Sequence, residues 1–390
     1  MAKYKLDELC EFITDGTHQT PEYCEEGGVI FLSSKDVTER KINWDDVKYI
    51  PESLHQKLYK RLSPKLNDIL LAKNGTTGVA AIVDRDEVFD VYVSLAVLRP
   101  LESVYPKYLL YAINSPVAKR QFNAGLKGIG VPNLHLGVIR ETVVNVAPRD
   151  EQEKICEILD KVSSVIDSRK AELSALDDLI KARFVEMFGN PVTNEKGWKQ
   201  KQLSEITTKL GSGSTPKGGK KAYQEDGITL IRSMNVHNGL FEYKELAHIS
   251  EEQAAKLDNV TIEENDVLLN ITGASVARSC VVPSKILPAR VNQHVCIIRC
   301  NQCIAPEFLN KLLIDDNYQR LLWSIAGAGA TREAITKQQV ESLHVIMPPI
   351  EMQNQFADFV KQVDKSKVAV QKALDETQML FDSLMQKYFA

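Results

Sequence analysis

The 390-residue sequence is short of several things, and each shortage removes a class of protein. No apolar run approaches the roughly 20 residues that a membrane-spanning helix needs. The stretch Met1 to Leu9 lacks the apolar core of a secretory signal. Cysteines number seven, odd in count and scattered, which suits free thiols in a reducing cytoplasm rather than a disulfide framework. There is no Gly-x-x-x-x-Gly-Lys-Ser/Thr phosphate loop, so no ATPase core is expected, and no Gly-x-Gly-x-x-Gly follows a strand. Asn190-Pro191-Val192 lacks the second proline and the aromatic of an amino-methyltransferase site and reads as a helix stop and linker. His18, His294 and His344 have no triad partners at recognisable spacing, so no catalytic residue is expected. Cys300 and Cys303 form a lone Cys-x-x-Cys with Cys296 and Cys280 nearby. There is no second such pair, and no metal site is expected.

Charge is nearly balanced. The net charge is −4, with 44% hydrophobic and 26% charged residues, a globular composition that excludes disorder as the dominant state. The length predicts two or three domains. A chain that holds DNA alone is usually basic, so a nucleic-acid role here requires local basic patches or a basic partner.

What the sequence does have is a long internal repeat. Asn67-Asp68-Ile69-Leu70-Leu71 returns as Asn265-Asp266-Val267-Leu268-Leu269, 198 residues later, and Gly75 returns as Gly273. Tyr105-Pro106-Lys107-Tyr108-Leu109 matches Ala305-Pro306-Glu307-Phe308-Leu309 at an offset of 200. Gly128 matches Gly329, and Pro148-x-x-x-Gln152 matches Pro349-x-x-x-Gln353, at an offset of 201. So small a drift over most of the chain marks a tandem duplication.

Each copy has two parts. The first mixes short apolar runs with turns. Asp68 to Ala72, Val79 to Val83 and Val91 to Leu98 read as strands, broken by Asn74-Gly75 and Gly78, and Tyr105 to Phe122 reads as a helix. The second copy repeats the order, with Asp266 to Leu269, Ala277 to Val282, Val291 to Arg299 and a helix from Pro306 to Ile325. This predicts α+β domains over residues 1–147 and 198–347.

The second part of each copy is an uninterrupted helical pattern. After Pro148 no glycine or proline occurs until Gly189. Ile155, Leu159, Val162, Ile166, Arg169, Leu173, Leu176, Ile180, Phe184 and Met187 alternate spacings of three and four, the seam of a coiled coil. The second copy has Phe356, Val360, Val363, Lys367, Val370, Leu374, Thr377, Phe381, Met385 and Tyr388 in the same places. This predicts helices over 148–190 and 348–390, with a linker over 191–197. About 40 residues at 1.5 Å each make a rod of roughly 60 Å. Two equal seams bury most simply against each other. Because the second globular part follows the end of the first helix and precedes the start of the second, that pairing must be antiparallel. The expected architecture is two pseudo-twofold related domains separated by a long antiparallel two-helix coiled coil. A duplex presents two-fold related half-sites about 34 Å apart per turn, which such a rod would span.

These residues together resemble the specificity subunit of a type I restriction–modification system. The carrying segments are Thr14 to Pro21 and Gly211 to Pro216 near the start of each copy, Asn67 to Gly78 and Asn265 to Ser275, and Val291-Asn292-Gln293-His294. Gly130 to Asn133 and Gly329 to Arg332 complete the set, each followed by a Pro-x-x-x-Gln lead-in to the helix. The resemblance implies two target-recognition domains that read a bipartite, asymmetric DNA site, with helices that set the spacer. It implies a non-catalytic, cytoplasmic chain whose partners are double-stranded DNA, two methyltransferase subunits and motor–nuclease subunits. Adenine N6 methylation and ATP-driven cleavage then belong to the assembled complex. The chain itself needs no cofactor; S-adenosylmethionine, ATP and Mg2+ are expected on the partners.

The loops suit such a task. Lys209 to Lys221 holds four lysines (Lys209, Lys217, Lys220, Lys221) and no acid, among glycines and serines that include Ser214 and Thr215, so it can lay ammonium and backbone N–H groups on phosphates. Asn235, Asn292, Gln293 and Arg332 are types that read adenine or guanine edges, with Arg232 and Thr272 beside them. In the first copy Gln19, Lys35, Asn74 and Asn133 occupy comparable loops, with Thr17, His18, Lys73 and Thr76. By segment, residues 1–147 hold 18 cations and 19 anions, and 198–347 hold 17 and 16. Residues 148–197 hold 8 and 11, and 348–390 hold 5 and 6. An acidic rod does not lie on phosphates, so partners are expected to supply much of the phosphate grip. The same features fit an adaptor of a methylation-only defence system. From a different class, they fit a coiled-coil interaction scaffold without DNA binding.

Overall fold

The computed structural model describes the whole chain except Glu26, Glu39 and residues 127–131, 216–218, 220–222 and 328–332. The chain forms two compact units: residues 1–170 with 372–390, and residues 171–371. Both are α+β, and they share one topology.

In the first unit a four-stranded antiparallel sheet runs in the order Cys10–Asp15, Leu95–Pro100, Ile69–Ala72, Ala80–Ile82. A three-stranded sheet has Val29–Leu32 between Lys48–Ile50 and Phe89–Val91, antiparallel to the former and parallel to the latter. Ala2–Lys5 pairs with Val143–Val146. The second unit repeats this with Thr207–Ser212, Val295–Cys300, Val267–Asn270, Ser279–Val281 in the larger sheet. Ile228–Ile231 lies between Ala247–Ile249 and Ala289–Val291 in the smaller one, and Gln200–Gln202 pairs with His344–Ile346.

The central strands are apolar on both faces, and their two-residue period divides two cores. Ile69, Leu71, Ala96 and Leu98 face one core with the helices. Leu70, Ala72, Leu95 and Val97 face the other. In the second unit Val267, Leu269, Cys296 and Ile298 divide in the same way from Leu268, Val295 and Ile297.

The repeated Asn-Asp motif closes this frame. Asn67 and Asn265 adopt left-handed backbone, with φ of 72° and 68°, a conformation asparagine tolerates better than most residues. The following aspartate is buried and bidentate to an arginine. Arg99 Nε and a terminal nitrogen donate to Asp68 at 2.8 and 2.7 Å, and Arg299 does the same to Asp266 at 2.8 and 2.9 Å.

Two of the sequence expectations need correction. The helix expected over Tyr105 to Phe122 is two helices, Pro106–Ile113 and Pro116–Ala124. Pro116 has no N–H to continue the first, and Ser115 caps the second by accepting from Ala118 N at 3.3 Å. The second copy breaks likewise into Pro306–Leu313 and Asp316–Gly327, with Asp315 accepting from Asn317 N and Tyr318 N. The single strand expected over Val91 to Leu98 is also two. Phe89–Val91 belongs to the small sheet and Leu95–Pro100 to the large one, with a turn closed by Leu95 N to Tyr92 O at 2.9 Å. Val291 to Arg299 divides in the same way into Ala289–Val291 and Val295–Cys300. An apolar run cannot reveal that the chain changes sheets halfway along it.

The two long helices are Arg149–Phe188 and Ile350–Phe389, 40 residues each. They pack together, antiparallel. In the first unit Ile155, Leu159 and Ile166 share a core with Phe381, Met385 and Phe389, with Val162 and Leu374 against it. In the second, Ile180, Phe184 and Met187 share one with Phe356, Val360 and Val363, with Leu176 against it. Phe184, Phe188, Phe308 and Phe356 form a ring cluster with centroids 4.8 to 5.8 Å apart. Leu173, Leu176 and Val370 are only half-buried. No described helix is long and apolar enough to cross a membrane.

Candidate nucleic-acid interface

In the first unit, Asp15 and Ala72 end their strands where Leu95 begins its own, so three strand ends share one edge of the large sheet. Leu32 and Val91 end together in the small sheet and lead to the same edge. Backbone hydrogen bonds stitch the loops there into one rim: Thr17 N to Val91 O at 3.0 Å, Val93 N to Thr17 O at 2.9 Å, Tyr92 N to Leu32 O at 2.8 Å, Lys73 N to Ser94 O at 2.8 Å and Leu134 N to Lys73 O at 2.9 Å. The second unit repeats three of these stitches, with Asn292 N to Ile231 O at 3.0 Å, Ile271 N to His294 O at 2.9 Å and Ile335 N to Ile271 O at 2.8 Å. One glycine per copy permits the closest approach. A Cβ on Gly16 would lie 1.9 Å from Val91 O, and one on Gly213 would lie 1.7 Å from Val291 O.

Most of the sequence candidates meet on these two rims. In the first unit His18, Gln19, Lys35 and Thr76 are exposed, and Thr17, Asn74 and Asn133 are half-buried. Asn74 and Asn133 face each other across an isolated antiparallel bridge, and the side-chain oxygen of each is buried without a hydrogen-bond partner. Lys35 reaches Asp46 O at 3.1 Å and Asp36 at 3.3 Å. In the second unit Ser214, Thr215 and Gln293 are exposed. Gln293 Oε1 accepts from the Thr215 hydroxyl at 2.8 Å and its N–H at 3.2 Å. Thr272 bridges to Ala334, the counterpart of the Asn74–Asn133 bridge, and its hydroxyl lies 2.5 Å from His294 Nδ1. The Arg232 guanidinium lies over the Tyr223 ring at 5.5 Å and donates to Glu245 O.

Three candidates on the rims have buried side chains. Lys73 donates to Asp15 Oδ2 at 2.5 Å, both side chains being buried. Arg61 donates to Asp15 O at 2.8 Å. Asn235 donates to Glu242 O and Lys244 O at 3.1 and 3.2 Å and accepts from Arg232 N at 3.1 Å, so it shapes its loop from within. Asn292 Oδ1 accepts from His294 N at 3.0 Å. Lys209 lies away from the rim, within the edge strand Thr207–Ser212. Lys217, Lys220, Lys221 and Arg332 lie outside the described residues.

Rim residues that sequence reading missed include Tyr92, whose hydroxyl lies 3.5 Å from Thr20 Oγ1, and Ser94, which accepts from Ser34 N at 3.0 Å. The polar residues interrupting the Val91–Leu98 run were the available signal. The cysteines lie elsewhere. Burial pushes the thiols of Cys280, Cys296 and Cys300 up to about 12. Among the described residues no group of three or more His, Cys, Asp or Glu is placed to hold a metal ion.

A double rim of amides, hydroxyls and a few cations, on rigid strand ends, is suited to reading groove edges rather than to bond-making chemistry. The chain is 18% identical over 412 residues to the type I restriction enzyme EcoKI specificity subunit of Escherichia coli K12, covering 98% of this chain and 86% of that one. It is 24% identical over 301 residues to the EcoBI specificity subunit of Escherichia coli, covering 68% and 62%. The crystal structure of a type I restriction–modification S subunit from M. genitalium has the same fold, with a TM-score of 0.57, 14% identity, and coverage of 100% of this chain and 96% of that one. The family described as type I restriction modification DNA specificity domain matches twice, over residues 1–177 and 195–377, and the chain belongs to that family.

Proposed function

We propose that this chain is the DNA specificity subunit of a type I restriction–modification complex, with each rim reading one half of a bipartite, asymmetric site. The observation that carries this is the duplication of the rim itself: three of its five backbone stitches recur in the second copy, while the side chains they present differ. A fixed frame with variable edges is what two different half-site sequences require. The recognition domains take residues 1–147 and 198–347, and the helices over 148–190 and 348–390 set the spacer. The chain performs no chemistry of its own. Two methyltransferase subunits, bound along the helices, supply S-adenosylmethionine-dependent adenine methylation, and motor–nuclease subunits add ATP- and Mg2+-dependent cleavage. Because the net charge is −4, DNA affinity of the isolated chain is modest and salt-sensitive. The work takes place in the cytoplasm.

Methylome sequencing of the host with and without the gene tests this reading. Methylation of one split motif disappears with the gene; an unchanged methylome rejects it. Exchanging residues 1–147 for those of another family member changes one half-site alone. Deleting seven residues from each long helix shortens the rod by about 10 Å, and the spacer shrinks by roughly 3 base pairs with both half-sites retained. An unchanged spacer rejects the ruler role. A scaffold that binds only proteins would produce no methylation change and no DNA shift, even with partners present.

A further inference from the structure

The Pro-x-x-x-Gln motif recurs at residues 148–152 and 349–353, and reading DNA gives it no role. Its glutamines sit where each chain leaves a recognition domain and enters a long helix. Gln152 is 2% exposed and Gln353 is fully buried. Gln152 Oε1 accepts from Tyr105 N at 2.8 Å, and its Nε2 donates to Ala147 O at 2.9 Å. Gln353 Oε1 accepts from Ala305 N at 2.9 Å, and its Nε2 donates to Pro348 O at 2.8 Å and Cys303 O at 3.4 Å. Tyr105 and Ala305 are the N-cap residues of Pro106–Ile113 and Pro306–Leu313. Each amide therefore ties three things within its own unit: the exit from the domain's last strand, the first turn of the long helix, and the start of a domain helix.

The rest of the joint has diverged. Tyr108 donates to Asn145 O at 3.2 Å in the first copy, whereas Tyr318, from another helix, donates to His344 O at 2.9 Å in the second. The aromatic that matches Tyr108 is Phe308, which has no hydroxyl. The glutamine bonds persist through that change. A buried amide with both ends bonded resists rotation, because any swivel leaves polar atoms unpaired in a dry site. The tolerance that matters is small. At a lever arm of roughly 15 Å, the radius of gyration of a domain this size, a swivel of about 13° moves a point by one base-pair rise of about 3.4 Å.

We propose that Gln152 and Gln353 are positioning residues that lock each recognition domain to its long helix, and so restrict the complex to one spacer length. This rests on the specificity-subunit reading above.

The test uses the full chain assembled with its methyltransferase subunit and duplexes that carry the native half-sites with the native spacer, one base pair fewer or one more. Gln152→Met and Gln353→Met, which keep volume and lose the hydrogen bonds, raise methylation of the altered spacers relative to the native one by about tenfold, with half-site bases unchanged. A variant that assembles, methylates the native duplex and keeps the wild-type spacer profile overturns the proposal. If Gln152→Met does not assemble, Gln152→Glu keeps the acceptor for the Tyr105 N–H without the donor to Ala147, and tests the same joint with the same two outcomes. Ile13→Ala, a core change away from the joint, lowers the melting temperature and leaves the spacer profile intact; equal broadening by Ile13→Ala also overturns it. If the wild-type complex methylates no split duplex, the specificity reading itself has failed.

Discussion

At one position the two copies bury strand side chains of opposite sign, each with a polar partner. In the first, Asp90 in the strand Phe89–Val91 meets His55 from the helix Glu52–Leu58 at 2.7 Å. In the second, Arg290 in Ala289–Val291 meets Asp258 at 2.7 Å and donates to Ala254 O at 3.2 Å. The strands, their register and the helix that covers them are otherwise alike. A frame can thus exchange the sign of a buried charge, provided the covering element changes with it. The pairs Asp68–Arg99 and Asp266–Arg299 have not changed, nor have three of the rim stitches, whereas the two through Thr17 belong to the first copy. The rim contents have: the buried Asp15–Lys73 pair corresponds to Ser212 and Ile271. Duplication kept the contacts that close the frame and released those that fill it.

The sharpest way to break this comparison is to attack the retained pair in both copies. Asp68→Ala leaves Arg99 without a carboxylate and Asp266→Ala leaves Arg299 only the exposed Glu263; each destabilises its own unit by about 3 kcal/mol, measured by hydrogen exchange in the central strands. A large effect in one copy and none in the other would sink the idea of a common frame. Next, Lys73→Ala leaves Asp15 buried with only His18 beside its carboxylate, at 3.4 Å, and costs about 2–3 kcal/mol in the first unit. Lys73→Met with Asp15→Asn recovers most of that loss, because both charges are gone; if the double variant is no better than the single, the pair is not what holds this rim.

A smaller contrast lies at two helix starts. Ser250 caps Glu251–Ala255 by accepting from Gln253 N at 3.2 Å, whereas Pro51 begins Glu52–Leu58 without a side-chain cap. Ser250→Ala costs about 1 kcal/mol in local exchange protection, and Pro51→Ala has no capping bond to lose. The smallest effect concerns pH. Burial holds the Asp90 carboxyl above its ordinary range, partly offset by His55. A carboxyl raised in the folded state stabilises it fully only below the unfolded value, and that contribution is lost as pH rises through the folded value. Protection factors in Phe89–Val91 therefore decline as pH rises above the ordinary carboxylate range. Asp90→Asn flattens that decline, and Ala289–Val291, with Arg290 in place of the acid, shows no counterpart.

Much of the frame was legible in the sequence because it depends on periodicity. The seam from Ile155 to Met187 and its partner from Phe356 to Met385 declare two helices, and the 201-residue offset between Gln152 and Gln353 declares the duplication. Most rim candidates were legible as turn-forming residues between strands. What stayed hidden depends on distance along the chain. Lys73 reads as a DNA-contacting loop residue until Asp15, 58 residues away, is seen to pair with it. Asn235 reads as a base reader until its amide is found inside its own loop. The break in Val91–Leu98 is a tertiary decision, which local pattern does not encode, whereas Ser115-Pro116 is a local stop and cap that the sequence carries.

The first unit contains Phe381, Met385 and Phe389, with Tyr108 against Phe389 at 5.1 Å between ring centroids. Its earliest-made residues therefore wait for the last turns of the polypeptide before their core is full. On the ribosome, the second unit can finish first. A premature stop near residue 372 would injure the beginning of the protein more than its middle, and quality control would see a vacant hydrophobic cleft in the half that was translated first.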